Sequence, residues 1–176
     1  MNFNNMMIAL SCWVATSFGF YLINFELKYL PGSVFFNVLM STAAEIIAKP
    51  IAFTAISNLG VKKSYMLCFA IGVLGTILIL LTDGRFESKL VIGLCLFLAK
   101  LGIASTFIVN YLSLEKLFPT LFCATAAGFC NFLARLATIF SPMIAEISPP
   151  LPNMILLGVL VFAISASTFF DVPTVE

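Results

Sequence analysis

Four charged residues stand inside otherwise apolar stretches of the chain: Glu45, Lys49, Lys100 and Arg135. A guanidinium at mid-membrane costs roughly 2.5–3.5 kcal/mol on insertion scales, so Arg135 is expected to face a protein interior or a wet cavity. The alternatives for it are a buried carboxylate partner or snorkelling. Glu45 and Lys49 are four residues apart with the acid first, so on a helix they share a face and can pair. Lys100 lies in the fourth apolar run, either at the site or reaching for the interface. Three cations against one acid leave a surplus of two positive charges in low dielectric. An uncompensated buried charge is strongly unfavourable, so the surplus favours an anionic ligand.

Aromatic residues supply the second signal. Trp13, Phe18, Phe20, Tyr21 and Phe25 crowd the first apolar run, and Phe107 and Tyr111 lie in the fourth. Most of the 19 phenylalanines are accounted for as lipid-facing or packing residues. Trp13, Phe20 and Tyr21 fall near multiples of one turn and could instead form an apolar wall for an organic ligand. Proline marks two expected kinks, at Pro50 directly after Lys49 and at Pro142, two turns after Arg135.

The elements that carry these residues follow from composition. The chain has 176 residues, of which 61% are hydrophobic and 10% charged, with a mean hydropathy of +1.11. Soluble domains carry about 25% charged residues, so the expectation is an all-α integral membrane protein. Six apolar runs approach the ~20 residues a helix needs to span hydrocarbon, over about 6–25, 33–58, 64–82, 90–114, 120–146 and 153–170. They form a single membrane domain over 1–176. The runs are continuous and too long for alternating barrel strands. Polar links separate them: Glu26 to Gly32, Gly60-Val61-Lys62-Lys63, the Asp83–Lys89 turn, Glu115-Lys116 and Ser148 to Pro152. A short polar tail, 171–176, follows the last run. The segment MNFNN lacks the positive region of a signal peptide, so the first run is expected to be a retained span.

Lys62, Lys63 and Lys116 on one side balance Lys28, Arg85 and Lys89 on the other in number. The tight Lys62-Lys63 cluster inclines that side to the cytosol. The net charge of +1 and the lack of any longer basic run argue against a nucleic-acid partner. With no histidine and no pair of intramembrane carboxylates, an intramembrane enzyme is disfavoured. The five cysteines sit in apolar runs without a CxxC pair, which suggests neither a metal site nor a disulfide framework. No cofactor is expected.

Three strings resemble a known family. CWVATSFGFY (Cys12 to Tyr21), AAEIIAKPIAFTAISNLGVKK (Ala43 to Lys63) and LFPTLFCATAAGFCNFLARLATIFSP (Leu117 to Pro142) resemble the seventh, eighth and eleventh helices of the organic anion transporters. These belong to the organic-ion transporter branch of the major facilitator superfamily. The resemblance covers most of the chain. It implies six transmembrane helices as two inverted three-helix repeats, one half of a major facilitator fold and similar to its C-terminal half. It places Lys49 and Arg135 at the positions associated with anion recognition, and Trp13, Phe20 and Tyr21 at the seventh-helix aromatic positions. Gly60, Lys62 and Lys63 fall in the gating loop.

Departures touch the gating contacts: Cys123 replaces a frequent arginine, Ala126 and Cys130 replace glycines while Gly128 is kept, and Val61 stands where the loop lacks the superfamily's Asp-Arg. The implied function is half of a secondary-active transporter moving small organic anions by alternating access, in the plasma membrane or an organelle membrane. The implied partners are the lipid bilayer, the organic anion, and a second six-helix half or other membrane subunits. The alternatives are a degenerate half kept as an accessory subunit, or a truncated gene product.

Overall fold

The computed structural model describes residues 3–30, 33–82, 89–117 and 119–170, and these form helices without a strand. Helix α1 spans Phe3–Glu26, α2 Val34–Thr82, α3 Lys89–Leu117, α4 Thr120–Thr138, α5 Phe140–Ala145 and α6 Leu151–Ser167. The Pro31-Gly32 link, the 83–88 part of the expected turn and the 171–176 tail lie outside the described residues. Four stretches are long and apolar enough to cross a bilayer: Asn4–Glu26, Val34–Thr82, Leu90–Leu117 and Leu121–Ala145. Leu151–Ser167 is apolar but shorter.

The second and third apolar runs are not separated by a loop. They join in α2, whose 49 residues leave helical geometry at one position, Gly60 (φ 76°, ψ 175°). Only glycine takes this backbone conformation without strain. The expected four-residue link therefore collapses to a single-residue turn, and Val61, Lys62 and Lys63 belong to the second leg of the helix.

Contacts with α3 show that the turn reverses the chain. In the first leg, Glu45, Ala48 and Ile56 meet Lys100, Ser105 and Lys116 in that order, so this leg runs parallel to α3. In the second leg, Tyr65 meets Asn110 and Ser113, Gly72 meets Gly102, and Gly75 meets Ala99, so this leg runs antiparallel. The antiparallel seam is closely packed. A Cβ on Gly102 would collide with the Gly72 backbone, and one on Gly75 with the Ala99 backbone. Small residues at such a seam let the backbones approach, which is how membrane helices associate without a hydrophobic driving force. A buried Tyr65 hydroxyl, 2.9 Å from Asn110 Oδ1 and 2.7 Å from Ser113 Oγ, fixes the register.

Helix α1 packs on α3, α4, α5 and α6. Its partner face on α4 is Ala126, Cys130 and Ala134, one small residue per turn, all buried. Two of the departures from the family pattern, Ala126 and Cys130, lie on this face and keep it small. The α4 rod divides from α5 at Ile139, three residues before Pro142. That is where the proline ring meets the preceding turn and its missing N–H removes a helix bond. No such break occurs at Pro50, where the backbone stays helical and Thr54 Oγ1 donates to the Pro50 carbonyl at 2.8 Å.

Candidate functional site

Lys100 is the most constrained charge in the molecule. It stands eleven residues into α3, about 16 Å from the helix start at 1.5 Å per residue, too deep for the snorkelling reading. Its side chain is 0% exposed. The ammonium donates to Asn24 Oδ1 at 2.6 Å and to the Phe20 carbonyl at 3.5 Å. It sits 3.4 Å from the centroid of the Phe20 ring and 3.1 Å from Glu45 Oε1. One cation thus ties α1, α2 and α3 together through a carboxylate, an amide and a π face.

This arrangement corrects the expected local pair. Glu45 reaches across to Lys100, not along its own helix to Lys49. The Lys49 ammonium and the Arg135 guanidinium are on exposed faces of α2 and α4, and neither has an ion-pair partner among the described residues. Lys100 and Glu45 cancel, so the surplus of two positive charges resides on Lys49 and Arg135.

The aromatic residues form a row that meets Lys100 at Phe20. Trp13 meets Tyr111 edge-on at 4.7 Å, Tyr111 lies 5.9 Å from Phe107, Phe107 5.5 Å from Phe20, and Phe20 5.8 Å from Tyr21. The cause is a matched register. Trp13, Phe20 and Asn24 are spaced by seven and four residues on α1, and Lys100, Phe107 and Tyr111 by seven and four on α3. Both sets lie along one helix face. Antiparallel packing then sets Trp13 against Tyr111, Phe20 against Phe107 and Asn24 against Lys100. The row is buried at Trp13, which is 1% exposed, and opens at Tyr111, which is 45% exposed. Trp13 Nε1 is buried without a hydrogen-bond partner, and burying such a donor unpaired costs roughly 1–3 kcal/mol.

The helices are ordered α2, α3, α1, α4 by their contacts. The two unpaired cations therefore lie on the helices that flank the aromatic pair.

No family model matches the chain. Over 151 residues, 84% of the chain, it is 29% identical to the synaptic vesicle 2-related protein of Rattus norvegicus. Over 159 residues, 88% of the chain, it is 29% identical to solute carrier family 22 member 6 of Bos taurus. Over 146 residues, 81% of the chain, it is 26% identical to an organic cation transporter-like protein of Drosophila melanogaster. The chain is a homologue of major facilitator superfamily transporters. It spans between a quarter and three tenths of the length of these relatives, 27%, 28% and 25% respectively.

The chain's long apolar helices and its likeness to these relatives support a multi-pass membrane protein, and two of the three relatives are named as a solute carrier and a transporter-like protein. Asn24, which accepts from the Lys100 ammonium, is a residue that residue type alone does not single out. Its signal is an amide in the apolar part of α1, one turn beyond Phe20. Phe107 and Tyr111 were visible as aromatics, but only the repeated seven-and-four spacing joins them to α1.

Proposed function

We infer that the chain is one half of a secondary-active transporter that moves small organic anions by alternating access with a second six-helix half. In this reading the two legs of α2 count as separate crossings. Together with α1, α3, the α4–α5 rod and α6 they give the two inverted three-helix repeats of a C-terminal half, one domain over 1–176. The observation that carries the anion preference is the pair of unpaired cations, Lys49 and Arg135, on helices flanking an aromatic row. An exposed guanidinium on a membrane-spanning helix is costly in lipid, so a partner half and an anionic ligand both relieve it. Trp13, Phe20 and Tyr21 line the organic body, and the unpaired Trp13 Nε1 is a donor for a ligand oxygen. Lys100, held by Glu45 and Asn24, positions Phe20 and sets the local field. Gly60 supplies the gating turn, and Lys62 and Lys63 open the helical leg that follows it.

One relative is named an organic cation transporter-like protein, and aromatic rows also accept cations. The surplus positive charge opposes that alternative. The test is uptake of a labelled aromatic carboxylate into proteoliposomes, by the chain alone and with the N-terminal half of a solute carrier family 22 relative. Saturable uptake is expected with the second half present and lost in Lys49→Ala/Arg135→Ala. Full uptake by that double variant would remove the assigned roles.

A further inference from the structure

A cleft of about 470 Å³ opens between the two legs of α2, and no residue of the aromatic row lines it. Pro50, Ile51, Thr54, Asn58 and Leu59 line it from the first leg and Leu67 from the second. Its volume lies in the range of pockets that hold small molecules. From Leu59 to Pro50 the wall is about 13 Å long at 1.5 Å per residue. That is close to half of the ~30 Å hydrocarbon core, the depth of one leaflet.

The walls are chiefly apolar, and Thr54, the hydroxyl among them, is already committed to the Pro50 carbonyl. Leu59 and Leu67, 44% and 43% exposed, stand at its rim.

The end of the cleft at Gly60 is basic. Lys63 lies four residues before Leu67 on the same helix, so it stands one turn nearer the Gly60 turn on the cleft-facing side. Lys62 precedes it. Lys116 of α3 reaches the same end and donates to the Ile56 carbonyl at 3.0 Å. Glu115 is the one acid at this end among the described residues, so three ammonium groups face one carboxylate.

An apolar slot one leaflet deep, with its basic end at the interface, is complementary to a lipid whose headgroup is negative. Juxtamembrane lysines attract anionic headgroups by roughly 1 kcal/mol each, about fivefold in affinity. We propose that the α2 cleft is a binding site for an anionic glycerophospholipid, with one acyl chain between the two legs and the phosphate held by Lys62 and Lys63.

The test uses the whole chain in detergent micelles doped with phosphatidylglycerol or with phosphatidylcholine of the same acyl chains. Native mass spectrometry reads bound lipid, and the midpoint of thermal unfolding reads stabilisation. Phosphatidylglycerol is expected to be retained preferentially and to raise the midpoint saturably. Lys62→Gln/Lys63→Gln, at solvent-accessible positions outside the packed seam, should lose about thirtyfold of that preference. Leu67→Trp, which fills the slot, should weaken binding of both lipids. Equal retention of the two lipids would overturn the proposal, as would an undiminished preference in the double lysine variant. Equal stabilisation by free glycerol phosphate would reduce the site to an ion contact. Loss of the lipid as a dimer forms would assign the cleft to a second copy.

Discussion

At the scale of single residues, the molecule turns on how it tolerates a fully buried ammonium. Lys100 has a carboxylate, an amide oxygen and a ring face arranged around it from two other helices. Removing one member of a buried ion pair commonly costs 3–5 kcal/mol, because the other charge is left uncompensated. Glu45 is 37% exposed, so the lower end applies. Glu45→Ala should destabilise the protein by about 3 kcal/mol or less in denaturant unfolding within micelles. The double variant Glu45→Leu/Lys100→Met should recover most of that loss. A double variant less stable than Glu45→Ala would show that Lys100 is held mainly by Asn24 and Phe20. The four charges were legible in the sequence, but their pairing was not. Spacing along one helix offers Glu45 a partner at Lys49, and only the parallel packing of α2 on α3 shows that Lys100 is nearer.

At the scale of elements, two glycine positions set the architecture and one serves as a control. Gly60 reverses the chain at positive φ. Alanine there should cost roughly 1–3 kcal/mol in stability, read as a lowered midpoint of unfolding. An unchanged midpoint would mean that the turn survives a side chain. Gly102 lies where a Cβ would strike the Gly72 backbone, whereas a Cβ on Gly128 would meet nothing within 4 Å.

Gly102→Ala should therefore separate α2 from α3 and destabilise the fold. Gly128→Ala in exposed helix should be neutral or stabilising by about 0.5–1 kcal/mol. Equal effects would contradict the close seam. Helices α1, α3 and the α4–α5 rod overlap apolar runs of the sequence, and the rod divides at Ile139, three residues before Pro142. In the sequence the Gly60 region reads as a four-residue link, because polarity around Lys62 and Lys63 imitates a loop, whereas both lysines lie in α2. The backbone needs only one glycine to turn, and lysines at the start of a membrane helix reach the interface without leaving it.

At the scale of the whole molecule, an unbalanced charge distribution surrounds an organised aromatic row. The sum of charges was readable from the sequence, and the structure relocates it: Glu45 neutralises Lys100, leaving Lys49 and Arg135 on exposed faces to either side of α1 and α3. The row itself was half legible. Trp13, Phe20 and Tyr21 fell on one helix by spacing, but their continuation through Phe107 and Tyr111 required the antiparallel register of α1 and α3. Trp13 is the one tryptophan of the chain, and it ends this row, so its fluorescence reports on the site directly.

The decisive measurement is a titration of Trp13 emission in nanodiscs holding the chain and a second six-helix half. An aromatic carboxylate is compared with its aromatic ammonium counterpart. The carboxylate should change the emission saturably, and Lys49→Ala or Arg135→Ala should each weaken it by roughly tenfold to a hundredfold, as expected for loss of a hydrogen bond to a charged group. Tighter binding of the ammonium compound, or carboxylate binding indifferent to both substitutions, would contradict the account.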